Sequence, residues 1–439
     1  MISGKSPSVA SSFLGTSVSS VLVAFLTFLS GVLIARALGP VARAEYGTVL
    51  LLGQTIGTLG CLSFFDGAVV RLRENPGLLG VVLPSMGFTA LLIGTGLIVV
   101  MAAVLLELDT GLTEVTVGQT LLICSLLILS ALISQCFSAV ERSRMNFFLI
   151  NLSRVTGPAI FTLLIVVASV VKGGDLSAYA VLLLFVLAKL PVLAIWVIRY
   201  ARQMVGPLSW CFVRDTGRIG LNLHMAIAIG AVAAQIDRLI AIGAWSKDQL
   251  GLYFVAFSAV GAGYGVITTA INTVLFPYLA GMESGERQQR SHLIIRLTIL
   301  ISLATVLVGF CVMPFVIPLL YGADYLAATP MAMGLLGALA VLPLRAVVLE
   351  AGRSLGMGRP SAEMGVISIA VMIALYGLTG FSEPSQLIVS LGLANLCSLL
   401  TGARHLVREQ VIRPGWDLLP NMADIRLLLS VFKERRRLR

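Results

Sequence analysis

At 439 residues the chain is long enough for two or three soluble domains, yet 58% of its residues are hydrophobic and only 12% are charged. Soluble domains carry about 25% charge, so this balance excludes a soluble enzyme and fits a lipid solvent, where a mid-bilayer charge costs a few kcal/mol. The net charge is +10, but the basic residues sit in short loops between apolar runs, without interleaved aromatics, which argues against a nucleic-acid partner.

Taken in order, twelve segments are long and apolar enough to span a bilayer: 12–35, 48–67, 78–106, 117–140, 147–171, 178–198, 217–243, 250–279, 292–320, 327–350, 361–381 and 386–404. The first follows Lys5 and is too long for a signal-peptide core, so it reads as a retained span. Cys61, Cys124, Cys136, Cys211, Cys311 and Cys397 lie mostly within apolar segments and form no C-x-x-C pair. They read as small buried hydrophobes, and neither a metal nor a cofactor is expected. Gly261-Ala-Gly-Tyr-Gly265 follows no strand and does not read as a nucleotide loop.

Charge asymmetry orients the spans. With the N-terminus in the cytoplasm, 25 of the 31 Lys and Arg residues fall on the cytoplasmic side and only Arg36, Arg43, Lys172 and Lys247 fall outside. That is a strong positive-inside signal, and it predicts cytoplasmic termini.

The halves repeat. Gly31-Val-Leu-Ile-Ala-Arg36 leading to Tyr46 parallels Arg238-Leu-Ile-Ala-Ile-Gly243 leading to Tyr253, an offset of 207 residues. Six spans per half keep the same orientation, as expected of a parallel-repeat transporter. The domains read as an N-lobe over 1–200, a cytoplasmic linker over 201–216, a C-lobe over 217–405 and a basic tail over 406–439. The tail, ending Lys433-Glu-Arg-Arg-Arg437-Leu-Arg439, is either a solvated charge run or a short interfacial helix on anionic lipid.

Several stretches resemble the polysaccharide transporter branch (O-antigen or lipid-linked oligosaccharide flippases) of the multidrug/oligosaccharidyl-lipid/polysaccharide exporter (MOP) superfamily. They are Ala35-Arg-Ala-Leu-Gly-Pro40, Glu45-Tyr46-Gly47, the span ending in Asp66, Asp237-Arg238, Leu250-Gly-Leu-Tyr253, Pro277 and Ile317-Pro-Leu-Leu-Tyr-Gly322. The resemblance covers nearly the whole chain. It implies an all-α membrane protein of about 12 transmembrane helices in two six-helix lobes, with a V-shaped cavity opening alternately to each side. It also implies a polyprenyl-diphosphate-linked glycan (undecaprenyl-diphosphate type) as cargo, a bacterial inner-membrane location, and work beside a polysaccharide polymerase and chain-length machinery in lipopolysaccharide or other surface-polysaccharide biosynthesis. Superfamily lipid II flippases are described with fourteen spans, which argues mildly against that branch.

Ionisable residues inside spans are expensive and should face a cavity or one another. Arg36, Arg154, Lys189, Arg238 and Arg345 are the candidate substrate-binding cations. Asp66, Asp237 and His224 are candidates for ion coupling. Asp237 and Arg238 point about 100° apart on a helix, and snorkelling to the interface is an alternative for Arg238. The cationic excess suits a diphosphate, which Arg meets bidentately. A cation-coupled multidrug or metabolite exporter would want membrane carboxylates instead. A membrane enzyme such as a polymerase or ligase would want catalytic groups on a large external loop, and none is evident.

Overall fold

The computed structural model describes residues 9–107, 115–171, 176–280, 282–413, 415, 418–421 and 424. The basic tail beyond 424 and the loop 172–175 lie outside these residues. The described chain is helical throughout, with two short 3-10 turns (Pro76–Leu78 and Ala323–Tyr325) and no strand. In hydrocarbon every backbone N–H and C=O must pair within its own segment, which leaves the helix as the natural form for these Leu/Val/Ala-rich runs.

In the first half α1 is Val9–Gly60, α2 Phe64–Glu74, α3 Leu79–Glu107, α4 Val117–Ser143, α5 Phe147–Val171, α6 Ala178–Leu187 and α7 Leu190–Met204. In the second half α8 is Trp210–Ala233, α9 Ile236–Ala244, α10 Lys247–Ala280, α11 Ser284–Tyr321, α12 Ala328–Ala338, α13 Leu342–Ser354, α14 Arg359–Thr379 and α15 Pro384–Arg408. Among the described residues ten stretches are long and apolar enough to cross a bilayer, and α8–α9, bent by 49° at its break, makes an eleventh. The 52-residue α1 is two helices. At 1.5 Å per residue it would run about 78 Å, more than twice the hydrocarbon thickness. It turns at Gly39, where φ 69 and ψ 176 leave helical space. Divided there, the count is the expected twelve.

The second helix starts at Pro40, eight residues before the expected 48, so 36–47 is not an external loop. One glycine suffices for the turn, and Pro40 opens the next helix with its φ preset and no N–H to satisfy. That Gly39 conformation is almost closed to other residues. Gly39→Ala should therefore destabilise the protein by about 1–3 kcal/mol, read as thermal unfolding in detergent. The counterpart of Gly39 at the 207-residue offset is Ser246, which separates α9 from α10. The parallel repeat thus extends to the position of the turn. The basic connection from Arg199 to Arg218 is largely helical, and only 205–209 lie between α7 and α8.

The chain forms two compact units, Met1–Ser258 with Pro318–Leu326, and Ala259–Ile317 with Ala327–Arg439. The first holds two cores. One gathers Val49, Leu52, Met101, Ile123, Leu127, Ile165 and Val181. The other gathers Phe64, Met86, Phe137, Trp196 and Tyr200, with the Phe137 and Trp196 rings stacked at 5.7 Å. The second unit packs α14 on α15 around Leu279, Val347, Ala351, Met364 and Leu406. Gly402 lets these helices close up, since a Cβ there would lie 2.4 Å from Met364 Sδ.

Large apolar side chains such as Leu91, Val170, Phe315 and Leu378 are exposed on the outer face, as lipid solvation requires. Exposed hydroxyls stay satisfied: Thr95, Thr156 and Thr305 each donate to the carbonyl four residues back. The cysteines follow expectation only in part. Cys124 and Cys136 are buried, whereas Cys211 and Cys311 are exposed, because their helix faces point away from the cores.

Candidate functional site

The first unit encloses a cavity of about 530 Å³. Both arms of α1 line it, with Ser30 and Gly31 before the Gly39 turn and Arg43, Tyr46 and Gln54 after it. The remaining walls come from α4, α5, the α6–α7 break, the α8–α9 break and the first half of α10.

Each cation in the wall is placed by an interruption in a helix. Arg43 sits one turn into the second arm of α1, just past the Gly39–Pro40 turn. It is 8% exposed, and its guanidinium lies 5.3 Å over the Tyr46 ring. Its Nε has no hydrogen-bond partner. Lys189 stands at the gap between α6 and α7, where Pro191 cannot donate the bond that would continue the helix. Its Nζ lies 5.0 Å from the Phe185 ring centroid. Arg238 opens α9 after the break at Ala234–Gln235, donates from Nη2 to the Ala234 carbonyl at 2.5 Å, and rests 4.1 Å over Phe257. It therefore does not snorkel outward but lines the cavity.

Behind Arg238 lies Asp237, 2% exposed, which accepts a hydrogen bond from the Tyr253 hydroxyl at 2.7 Å. The arginine also folds back to within 3.6 Å of this carboxylate, so the adjacent pair does meet despite its angular offset. Asp237 offsets one cation. Among the described residues no carboxylate lines the cavity, and neither Arg43 nor Lys189 has an ion-pair partner. The wall carries three cations interleaved with Tyr46, Phe161, Phe185, Phe254 and Phe257, and with neutral acceptors and donors such as Ser30, Gln54, Ser134 and Gln235. Chemically such a wall can meet an anion through its cations and a sugar or ring through its aromatic faces.

The other candidate residues lie elsewhere. Arg36 donates to the carbonyls of Leu320 at 2.7 Å and Leu319 at 2.5 Å. Arg154 reaches Ser20 Oγ at 3.3 Å and is exposed. Arg345 belongs to the second unit and bonds Asn395. Asp66 is paired with Arg142 at 2.7 Å, and His224 Nδ1 is 3.3 Å from Ser63 Oγ. Arg43 was missed because the sequence placed it in a loop with Arg36. The available signal was Pro40, which starts a helix and so puts Arg43 and Tyr46 on successive turns of one face.

Close backbone contacts recur elsewhere in the first unit. A Cβ on Gly67 would lie 2.6 Å from the Thr216 carbonyl oxygen, and one on Gly220 would lie 2.8 Å from that of Ser63. Arg71 pairs with Asp215 at 3.4 Å beside them. Toward the Gly39 turn, a Cβ on Gly251 would lie 2.0 Å from the Pro40 carbonyl oxygen. There Tyr325 donates to the Ala35 carbonyl at 3.1 Å, and burial pushes its phenol well above the ordinary range, so it remains a donor.

A family model described as polysaccharide biosynthesis protein matches residues 85–330, more than half of the chain. No curated protein matches the sequence. Among solved structures, the lipid II flippase MurJ in an inward closed conformation superposes with a TM-score of 0.69 at 14% identity, over 92% of this chain and 88% of its own. A multidrug resistance MATE family transporter of the MOP superfamily, inward-facing, gives 0.67 at 15% identity over 88% and 95%. A MOP superfamily transporter from Pyrococcus furiosus, described as having a binding pocket of reversed polarity, gives 0.54 at 14% identity over 91% and 95%. The protein therefore belongs to the polysaccharide biosynthesis protein family, and it shares its fold with the MATE transporter and the lipid II flippase.

Proposed function

We propose that the chain flips a polyprenyl-diphosphate-linked oligosaccharide from the cytoplasmic to the outer leaflet of a bacterial inner membrane, for O-antigen or other surface polysaccharide. The observation that carries this is the wall of Arg43, Lys189 and Arg238 without a lining carboxylate. A diphosphate loses its water on entry, and charge-assisted bonds to buried cations offset that loss. The volume of about 530 Å³ lies within the range of small-molecule sites, roughly 300–1,000 Å³, so a headgroup and its first sugars fit while the tail stays in lipid. Outward movement of an anion is favoured by an inside-negative potential, by about 2.3 kcal/mol per charge per 100 mV.

The bodies that rock about this site are, on this reading, residues 1–200 and 217–405, joined through 201–216, with cytoplasmic termini and the tail 406–439 on the inner face. A polymerase acting on the delivered glycan would draw the cycle forward. Coupling to an ion through Asp237, Asp66 or His224 has less support, since each is held by a neighbouring side chain. Multidrug export has no specific observation in its favour.

Depletion of the protein in cells tests the reading. Lipid-linked glycan should accumulate on the cytoplasmic leaflet, protected from an external periodate-type label, while cationic dye efflux is unchanged. Lost dye efflux with normal glycan exposure would overturn it.

A further inference from the structure

Beside the cavity lies a second, apolar space. Between α5 and α7 lies a narrow slot walled by Leu149, Leu152, Thr156, Ile195 and Trp196, with Arg199 at its far end. Cavity and slot share Ser153 and Val192. On α5 the slot residues precede the cavity residues Gly157 and Phe161, and on the antiparallel α7 they follow Lys189. The slot therefore runs from the cavity toward the end where α5 begins and α7 finishes, the end carrying Arg142, Arg144 and Arg202.

Two further features mark this wall. At cavity level α5 carries Gly157–Pro158 within a continuous helix, and the other flanking helix is interrupted by the Ala188–Lys189 gap before Pro191. The first half of α5, Phe147 to Ile160, contains no fully buried residue and is held to α1 by Asn151, which donates to Thr16 Oγ1 at 3.0 Å, and by Arg154, which donates to Ser20. Leu152 and Ile195 present 47% and 52% of their surface to the outside. The slot measures about 20 Å³. Admitting a chain requires α5 and α7 to part.

We infer that this slot is the tail portal: it takes the first isoprenoid units of the amphiphile whose diphosphate lies among Arg43, Lys189 and Arg238, and leads the tail into the adjoining leaflet. The inference rests on the proposed headgroup site. A prenyl chain begins at a phosphate oxygen, so its exit must open from the headgroup site itself. Lys189 and Val192 lie about one helical turn apart, roughly 4.5 Å along the axis, which places the start of an apolar path directly beside a phosphate-binding cation. An apolar tail then passes from a polar cavity to lipid without crossing a polar wall.

Binding to the purified full-length protein tests this with two probes, inorganic diphosphate and a long-chain prenyl diphosphate. The slot is filled by Thr156→Phe and, separately, by Ile195→Trp. Each should weaken the prenyl probe at least tenfold and leave inorganic diphosphate within twofold. Equal affinities for the prenyl probe in wild type and both variants would overturn the portal while leaving the headgroup site standing. Absence of diphosphate binding in wild type would overturn the headgroup site instead, and the portal with it. A photoreactive residue in place of Ile195 gives a readout independent of any change in packing. It should capture the prenyl probe, with capture competed by unlabelled prenyl diphosphate. Capture of bulk phospholipid alone, indifferent to competitor, would contradict the portal.

Discussion

Arg43→Glu should reduce glycan flipping by at least 100-fold, the largest loss expected from any single substitution in the cavity. A unit charge about 4 Å from another contributes on the order of 4 kcal/mol at an effective dielectric of 20, and reversal turns that attraction into repulsion. Arg43 is buried in the wall without an ion-pair partner, so nothing nearby absorbs the change. Arg43→Lys keeps the charge and loses the planar fork, and should retain a measurable rate, about tenfold down. Arg43→Met separates function from folding. An unpaired buried cation costs stability, so an apolar residue of similar volume should leave thermal stability equal or raised while flipping falls. Reconstituted flipping and unfolding temperature, measured on the same preparations, check this. A destabilised Arg43→Met protein would show that the arginine is structural.

Gly251→Ala should be among the most damaging changes outside the cavity, costing about 1–3 kcal/mol or more of stability. An added Cβ would lie 2.0 Å from the Pro40 carbonyl oxygen and 2.7 Å from its carbon. Both are backbone atoms, and no rotamer change relieves the clash. Either α10 or the second arm of α1 must shift, and Arg43 rides on that arm. Flipping should fall together with stability, in contrast to Arg43→Met. Gly96→Ala is the control: nothing lies within 4 Å of a Cβ there, so it should be neutral or gain up to about 1 kcal/mol from helix propensity. Similar unfolding temperatures for the two variants would contradict the tight crossing.

Much of the fold was legible because lipid imposes one solution on an apolar run. Segment length and the sidedness of Lys and Arg suffice for the spans. The 207-residue offset of Tyr46 and Tyr253 located the repeat, and the turn positions Gly39 and Ser246 follow it. The Gly39 turn itself was misjudged because hydropathy drops across 36–47 whether the chain loops or stays helical; only the glycine conformation distinguishes them. That reading kept Arg43 out of the candidate cations.

Lys189 and Arg238 stood out as charges within apolar runs, and both lie in the cavity wall. Arg36, Arg154 and Arg345 looked alike in sequence but reach other acceptors: helix-end carbonyls, a serine and an asparagine. Which way a side chain points around a helix depends on packing partners hundreds of residues away, and one sequence does not encode that locally. The apolar slot was invisible for the same reason, since Leu149, Thr156 and Ile195 are ordinary lipid-span residues until α5 and α7 are set side by side.

The most direct measurement is flipping in proteoliposomes of a fluorescent polyprenyl-diphosphate sugar and of its monophosphate counterpart, by wild type and by the Arg43→Ala, Lys189→Ala, Arg238→Ala triple variant. A cationic headgroup site predicts rapid wild-type flipping of the diphosphate, at least tenfold slower flipping of the monophosphate, and flipping of both at protein-free rates in the triple variant. Flipping of the diphosphate at the wild-type rate by a stably folded triple variant would contradict it.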